Sequence, residues 1–190
     1  MIKKSIVKAY DFAKKAHQGQ KRKFSDLDYF VHPKAVARRI EELGGTEEMI
    51  VASFLHDVIE DTNITFETIE IEFGTEVYLL VCELTSDKEV IRDIGKQDYL
   101  AGTMAMMSSN ALAIKLADRE HNIKFLIEDS YFNTHESVLF LKKYYKETLY
   151  IILSLKNAIQ MNWTKEFFHI HEVLIDSIDY YLKKISKIIN

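Results

Sequence analysis

The chain has 190 residues, of which 47% are hydrophobic and 28% charged, a composition that excludes extensive disorder and allows one domain with a real core. Its net charge of −4 argues against a general nucleic-acid-binding protein. No segment approaches the roughly 18 apolar residues of a membrane span or resembles a signal peptide, so we expect no membrane association. The single Cys82 cannot form an internal disulfide, which predicts a cytoplasmic location.

An all-α bundle is predicted from the helical spacing of apolar residues nearly throughout a chain that contains only one proline and six glycines. Pro33 suits the first turn of a helix, and Thr46 suits the N-cap of the next, which we expect to continue unbroken to about Asp61. A basic loop is expected between residues 19 and 31. The predicted helices span about 1–18, 33–44, 46–61, 65–72, 75–84, 94–108, 110–128, 134–159 and 164–188.

Charge is distributed unevenly along the first half of the chain. Residues 14–39 contain eight Lys or Arg and two Asp, a net of +6, whereas residues 41–76 contain eleven acids and no Lys or Arg. A basic segment beside an acidic one suits an anionic substrate held near a cation that carboxylates bind. The alternative is a pair of solvated helix faces.

The third predicted helix carries polar residues on the flank opposite its apolar stripe. Ser53, His56, Asp57, Glu60 and Asp61 share that flank. If the flank faces water, a His among acids is unremarkable; if it faces a cleft, a cation must compensate the converging charges. Adjacent His56 and Asp57 can reach one metal, and Glu60 and Asp61 follow one turn later, where they can orient or deprotonate a water molecule.

Two further segments offer side chains that can bind a metal. His32 precedes Pro33 at the start of a predicted helix and is either a ligand or a capping or packing residue. Asp118 interrupts an apolar stretch and needs a partner, which Arg119 or a metal could supply. Asn122 lies one turn after Asp118 and could donate to a substrate. Two His and two carboxylates suit manganese, iron or catalytic zinc better than structural zinc.

Three blocks of this sequence, in order, resemble the RelA/SpoT-type hydrolase domain. Residues 16–23 with Tyr29 to Pro33 resemble its opening, Ser53 to Thr62 its central signature, and Ile114 to Asn122 its third block. The resemblance covers about residues 9–128, and we expect the predicted C-terminal helices at about 134–188 to continue it. Since no synthetase or regulatory domain follows, the chain resembles a stand-alone small alarmone hydrolase.

That resemblance implies the HD phosphohydrolase helical bundle, as a single domain over residues 1–190. It implies hydrolysis of the 3′-pyrophosphate of guanosine tetra- or pentaphosphate to GDP or GTP, with one Mn²⁺ ion, or another divalent metal, as cofactor. The expected partner is a nucleotide substrate and neither a nucleic-acid polymer nor a membrane, and the oligomeric state is left open. The implied metal ligands are His32, His56, Asp57 and Asp118. The implied catalytic residues are Glu60 and Asp61, and the implied substrate contacts are Arg22, Lys23 and Asn122.

Other activities stay open at the level of sequence. The loop at residues 24–29 lacks the Gly and Pro that the family commonly has there, so base preference is open. The alternatives are an HD-type enzyme acting on another nucleotide (an NADPH phosphatase, an adenosine alarmone hydrolase or a nucleotidase) and a non-catalytic alarmone-binding module. The Glu60-Asp61 pair argues against the latter. His169 and His171, two residues apart on a predicted helix, are expected at the surface.

Overall fold

The computed structural model describes residues 3–128, 134–159 and 168–189. Across these ranges the regular structure is helical, apart from one isolated antiparallel bridge between Lys21 and Asp28, which confirms the predicted all-α class. None of the described helices contains a stretch long and apolar enough to cross a membrane. The helices are α1 Lys4–Ala16, α2 Val31–Glu42, α3 Glu47–Leu55, α4 Val58–Asp61, α5 Phe66–Phe73, α6 Thr75–Leu84, α7 Lys88–Ile94, α8 Lys96–Met106, α9 Ser109–Glu128, α10 His135–Ile159 and α11 Phe168–Ile189.

The chain divides into two compact units, which are described separately. The first unit comprises Met1–Arg22 and Asp26–Ser86. Its centre is α3, which packs against α1, α2 and α6 and is buried at every position from Met49 to Leu55. Thr46 caps this helix as predicted, because its hydroxyl accepts the N–H of Met49. Of the predicted polar flank, Ser53 and His56 are buried, whereas Asp61 is exposed.

The second unit comprises Lys23–Ser25 and Asp87–Asn190. Here α9 packs against α10 and α11, and α10 packs against α8. Every residue of α9 from Ala111 to Glu120 is buried. The expectation of one domain over residues 1–190 stays a prediction.

The predicted helix over residues 46–61 was wrong in one respect, because it is interrupted at His56 and Asp57 and divided into α3 and α4. In an unbroken helix the Ser53 carbonyl would accept the N–H of Asp57, four residues on. His56 Nδ1 instead lies 2.7 Å from the Ser53 carbonyl oxygen. The side chain thus competes with the backbone for this acceptor, and the two residues with metal-binding capacity fall in a turn.

Two other predictions fail in the second unit. The helix α7 was not predicted, although Asp87 gives a capping signal: its Oδ1 accepts the N–H groups of Glu89 and Val90 at 2.8 and 3.1 Å. His171 was expected at the surface but is only 1% exposed. It lies on the face of α11 that packs against α9, and its Nε2 donates to the Ser109 carbonyl at 2.9 Å. His169 is exposed, as predicted.

Candidate metal centre

Two short segments of the first unit bring metal-binding side chains together. The loop after α1 leads into α2, whose first turn carries His32, and the turn between α3 and α4 carries His56 and Asp57. Both imidazoles are 1% exposed. Since α2 packs against α3, the first turn of one helix meets the end of the other inside this unit.

Three donor atoms converge at this point. His32 Nε2 lies 3.2 Å from His56 Nε2. Asp57 Oδ2 lies 3.1 Å from His56 Nε2 and 3.5 Å from His32 Nε2. Ligand atoms that each sit about 2.0–2.2 Å from one metal ion are about 3 Å apart in tetrahedral or octahedral geometry. The spacing of this triangle therefore fits a single bound ion.

The hydrogen bond of His56 selects the nitrogen that faces the other donors. A carbonyl oxygen only accepts, so His56 Nδ1 carries the proton that it shares with Ser53. In the neutral ring Nε2 then bears the lone pair, which is the form that binds a metal. Two imidazole nitrogens and a carboxylate oxygen at such short range form a mixed donor set that one ion can bridge, so the residues present fit a divalent metal.

Sequence reasoning missed the part that Tyr29 plays in this cluster. Its hydroxyl donates to Asp57 Oδ2 at 2.6 Å. The ring of Tyr29 lies 4.9 Å, centre to centre, from that of His17, whose Nδ1 is 2.8 Å from Gln20 Oε1. The available signal was the position of Tyr29 three residues before His32. A second layer of side chains thus orients the carboxylate of Asp57.

Glu60 and Asp61 were predicted to act together, but they have different surroundings. Glu60 is half-buried, and its Oε1 accepts the backbone N–H of Ser86 at 2.7 Å. Asp61 is exposed, and its backbone carbonyl accepts from Gln20 Nε2 at 2.8 Å. The Ser86 contact orients Glu60 and was not foreseen, because nothing in the sequence links these two positions.

Arg22 and Lys23 are neighbours in sequence but belong to different units. The Arg22 guanidinium carbon lies 5.5 Å from the centre of the Tyr29 ring, within the first unit. Lys23 Nζ lies 4.2 Å from the centre of the Phe140 ring and 4.9 Å from that of Phe24, within the second unit. Both cations contact aromatic faces, so the basic loop is not simply a solvated surface.

Asp118 lies on α9 in the second unit and has its own partners there. Asn122 Nδ2 donates to its Oδ1 at 2.6 Å, and Lys115 Nζ lies 3.6 Å from its Oδ2. All three side chains share one face of the helix, because they are three or four residues apart. The predicted pairing of Asp118 and Asn122 on one face is confirmed as geometry, and Lys115 is an additional neighbour that the sequence analysis passed over.

Arg119 forms a buried set of contacts with α10. Its Nη1 donates to Thr148 Oγ1 at 2.9 Å and lies 3.4 Å from Glu147 Oε1. Burial by itself would lower the pKa of Arg119, but Tyr144, Glu147 and Asp118 outweigh that effect and raise it. The side chain stays charged and joins α9 to α10.

Comparison with protein families places these residues in a known group. The profile of the HD domain matches residues 9–139. The chain belongs to the HD domain family. This range contains His32, His56, Asp57 and Asp118. Membership of the family implies binding of a divalent metal ion. The predicted HD fold is confirmed.

Individual curated proteins and a solved structure are also similar to this chain. This HD domain is 38% identical over 124 residues to the guanosine-3′,5′-bis(diphosphate) 3′-pyrophosphohydrolase MESH1 of Xenopus tropicalis, covering 64% of this chain and 69% of that protein. It is 39% identical over 133 residues to a probable guanosine-3′,5′-bis(diphosphate) 3′-pyrophosphohydrolase of Synechocystis, covering 64% of this chain but 16% of that one. The solved structure of a metazoan ortholog of SpoT that hydrolyzes ppGpp has a TM-score of 0.78 at 23% identity, with 97% of each chain covered.

The size of the relatives differs widely. The chain spans only 15–18% of the length of several curated relatives that it matches, such as those of Arabidopsis thaliana and Aquifex aeolicus. The similarity to the metazoan structure shows the fold.

Proposed function

We propose that this HD domain hydrolyses the 3′-pyrophosphate of guanosine tetra- or pentaphosphate, releasing pyrophosphate and leaving GDP or GTP. The observation that carries the proposal is the buried convergence of His32 Nε2, His56 Nε2 and Asp57 Oδ2 within 3.5 Å of one another. The activity named for the relatives in Xenopus and Synechocystis supports the choice of substrate. We expect the protein to act in the cytoplasm, where a single cysteine is stable as a thiol.

The cofactor we propose is one Mn²⁺ ion, held by His32, His56, Asp57 and Asp118. A mixed set of imidazole and carboxylate ligands suits manganese better than it suits structural zinc. When bound, such an ion supplies Lewis acidity at the phosphoryl group and neutralises charge that develops in the transition state. Asn122 and Lys115 hold the carboxylate of Asp118 in one rotamer for this purpose.

Glu60 and Asp61 handle protons in the proposed reaction. The Ser86 N–H fixes one oxygen of Glu60, which sets the plane of its carboxylate before substrate binds. Glu60 takes a proton from the attacking water, and Asp61, whose side chain is exposed and can reorient, returns one to the leaving ribose oxygen. Such general acid–base steps contribute about 10²–10⁴-fold to rate.

Substrate contacts come from Arg22, Lys23 and Asn122. Arg22 lies over Tyr29, so its guanidinium plane is already ordered for stacking or for a bidentate contact with phosphate. Lys23 provides a point charge for the polyphosphate. In this proposal the cations seat the nucleotide so that its 3′-pyrophosphate lies beside the metal ligands.

A nucleotide panel tests this proposal. The protein would be freed of metal, reloaded separately with Mn²⁺, Mg²⁺, Zn²⁺ or Fe²⁺, and incubated with ppGpp, pppGpp, ppApp, NADPH and GMP, with products separated by chromatography. We expect GDP and GTP from the guanosine alarmones, fastest with Mn²⁺, and no turnover by Asp57→Ala. Faster release of phosphate from NADPH or GMP, or binding of ppGpp without turnover in any metal, would contradict the proposal.

A further inference from the structure

A cavity of 540 Å³ in the second unit is lined mainly by basic residues and shares none with the proposed active site. It lies between the start of α8 and the middle of α10. Its volume falls in the range of small-ligand sites, which is about 300–1,000 Å³. The side chains that line it are Lys96, Gln97, Leu139, Lys142, Lys143, Lys146 and Glu147.

The charge around this cavity is not balanced by protein groups. Within the described ranges, no carboxylate comes within ion-pair distance of Lys96, Lys142, Lys143 or Lys146. The one acid in the lining, Glu147, is 7% exposed and pairs with Arg119. The four lysines are exposed, and their like charges around one concavity create a positive potential that favours a bound anion.

The start of α8 adds backbone groups to the lining of the cavity. The 11-residue helix α8 begins at Lys96 after Gly95, whose φ of 86° and lack of a side chain leave the first turn without a side-chain cap. The N–H groups of a helix start favour anions. The acid in that turn, Asp98, is hydrogen-bonded to the Tyr150 hydroxyl, an interaction that raises the pKa of Tyr150.

The spacing of the basic residues favours a ligand with several phosphate groups. Leu139, Lys142, Lys143 and Lys146 lie on one face of α10, because they are three, four and seven residues apart. Leu139 is 52% exposed, so an apolar surface lies among the ammonium groups. The concave shape suits a compact ligand, whereas a nucleic-acid polymer would need an extended basic track.

We propose that this cavity binds a small polyphosphate anion, with the phosphates on the four lysines and the α8 N-terminus, at a site separate from the residues of the proposed active site. The inference does not depend on the proposed hydrolysis, because binding is measured directly. Leu139 offers a contact for the base when the anion is a nucleoside polyphosphate.

Isothermal titration of the whole protein with tripolyphosphate tests the site. The variant is Lys142→Gln/Lys146→Gln, and the matched control is Lys183→Gln/Lys187→Gln, which also removes two exposed lysines four residues apart, but on α11. We expect the cavity variant alone to bind about tenfold or more weakly, since charge-assisted hydrogen bonds are lost. Anion binding at the metal centre is common to all three proteins and cancels.

Further arms identify the ligand class. GTP binding that is tighter than tripolyphosphate binding and weakened by Leu139→Ala supports a nucleotide, and equal binding of both supports phosphate recognition alone. Unchanged tripolyphosphate affinity in the cavity variant, or equal weakening in the control, would overturn the proposal. A cavity variant that loses only affinity for a single-stranded oligonucleotide would overturn it as well. Thermal melting of each variant checks that the fold is intact.

Discussion

Asp57, in the turn between α3 and α4, and Asp118, on α9, are both largely buried carboxylates, but their neighbours differ in kind. Around Asp57, within the first unit, lie two imidazole nitrogens at 3.1 and 3.5 Å and one hydroxyl donor, Tyr29. Around Asp118, within the second unit, lie an amide donor and the ammonium of Lys115. Within its own unit, the first carboxylate lies against two imidazole nitrogens, whereas the second accepts a hydrogen bond from an amide on its own helix.

This difference implies different dependence on metal. The cluster of His32, His56 and Asp57 offers the donor set of a metal site, so we expect a bound ion to stabilise it. Asp118 has an amide donor and an ammonium group on its own helix, so we expect it to keep its position when no ion is bound. Removal of metal should therefore loosen the first unit more than α9, and substitutions in the two regions should have different effects.

The largest expected effect comes from the first region. His56→Ala and Asp57→Ala should each abolish hydrolysis and metal retention while the helical fold stays largely intact, because the apolar residues of α3 carry its packing against α1, α2 and α6. The measurements are metal content by elemental analysis, turnover and circular dichroism. Asp118→Asn, which keeps the hydrogen bond from Asn122, should retain more metal than Asp57→Ala. Equal metal loss in the two would remove the distinction between the regions.

The next largest effect on activity is expected for Glu60→Gln and Asp61→Asn. Both variants should keep metal but lose rate by about 10²–10⁴-fold if these residues transfer protons. The Gln side chain can still accept the Ser86 N–H through its amide oxygen, so the geometry around Glu60 is preserved in that variant. Metal content and kcat are measured together. Metal loss in step with rate would make these residues ligands instead.

The second region is tested for stability rather than activity by Arg119→Ala. The substitution leaves Glu147, which is 7% exposed, as a buried charge without its partner. Breaking such a pair costs about 3–5 kcal/mol, which thermal or urea unfolding measures. Replacing both residues, as Arg119→Met with Glu147→Leu, should restore much of the loss. An Arg119→Ala protein as stable as wild type would mean that Glu147 finds water or another cation.

Apolar periodicity and caps were sufficient to predict most helices, including α5 after Thr65 and the break at Gly74. They could not predict the interruption at His56 and Asp57, because it depends on a side chain competing for the Ser53 carbonyl. The motif blocks predicted His32, His56 and Asp57 as metal ligands, and the fold brings these three side chains within 3.5 Å of one another. Contacts such as Ser86 with Glu60 join positions 26 residues apart and carry no sequence pattern.

A smaller effect is expected for Tyr29→Phe, which removes only the hydroxyl that donates to Asp57. Loss of such an orienting partner typically lowers metal affinity or activity by about 10–100-fold. The ring contact with His17 remains, so stability should change little. Metal titration against a competing chelator measures the affinity, and excess metal should restore much of the activity. Activity that stays low at saturating metal would instead place Tyr29 against the substrate.

The smallest losses of activity are expected for substitutions of the two adjacent cations, Arg22 and Lys23. Arg22→Ala and Lys23→Ala should leave metal content unchanged and weaken kcat/KM for guanosine tetraphosphate, with a smaller loss on a chromogenic phosphodiester that offers fewer anionic oxygens. Arg22 should also be sensitive to Lys, because an ammonium cannot reproduce stacking over Tyr29 or a bidentate phosphate contact. Lys23→Arg should be nearly neutral, since a guanidinium can also lie on the rings of Phe24 and Phe140. Equal losses on both substrates would assign the basic loop to folding rather than to binding.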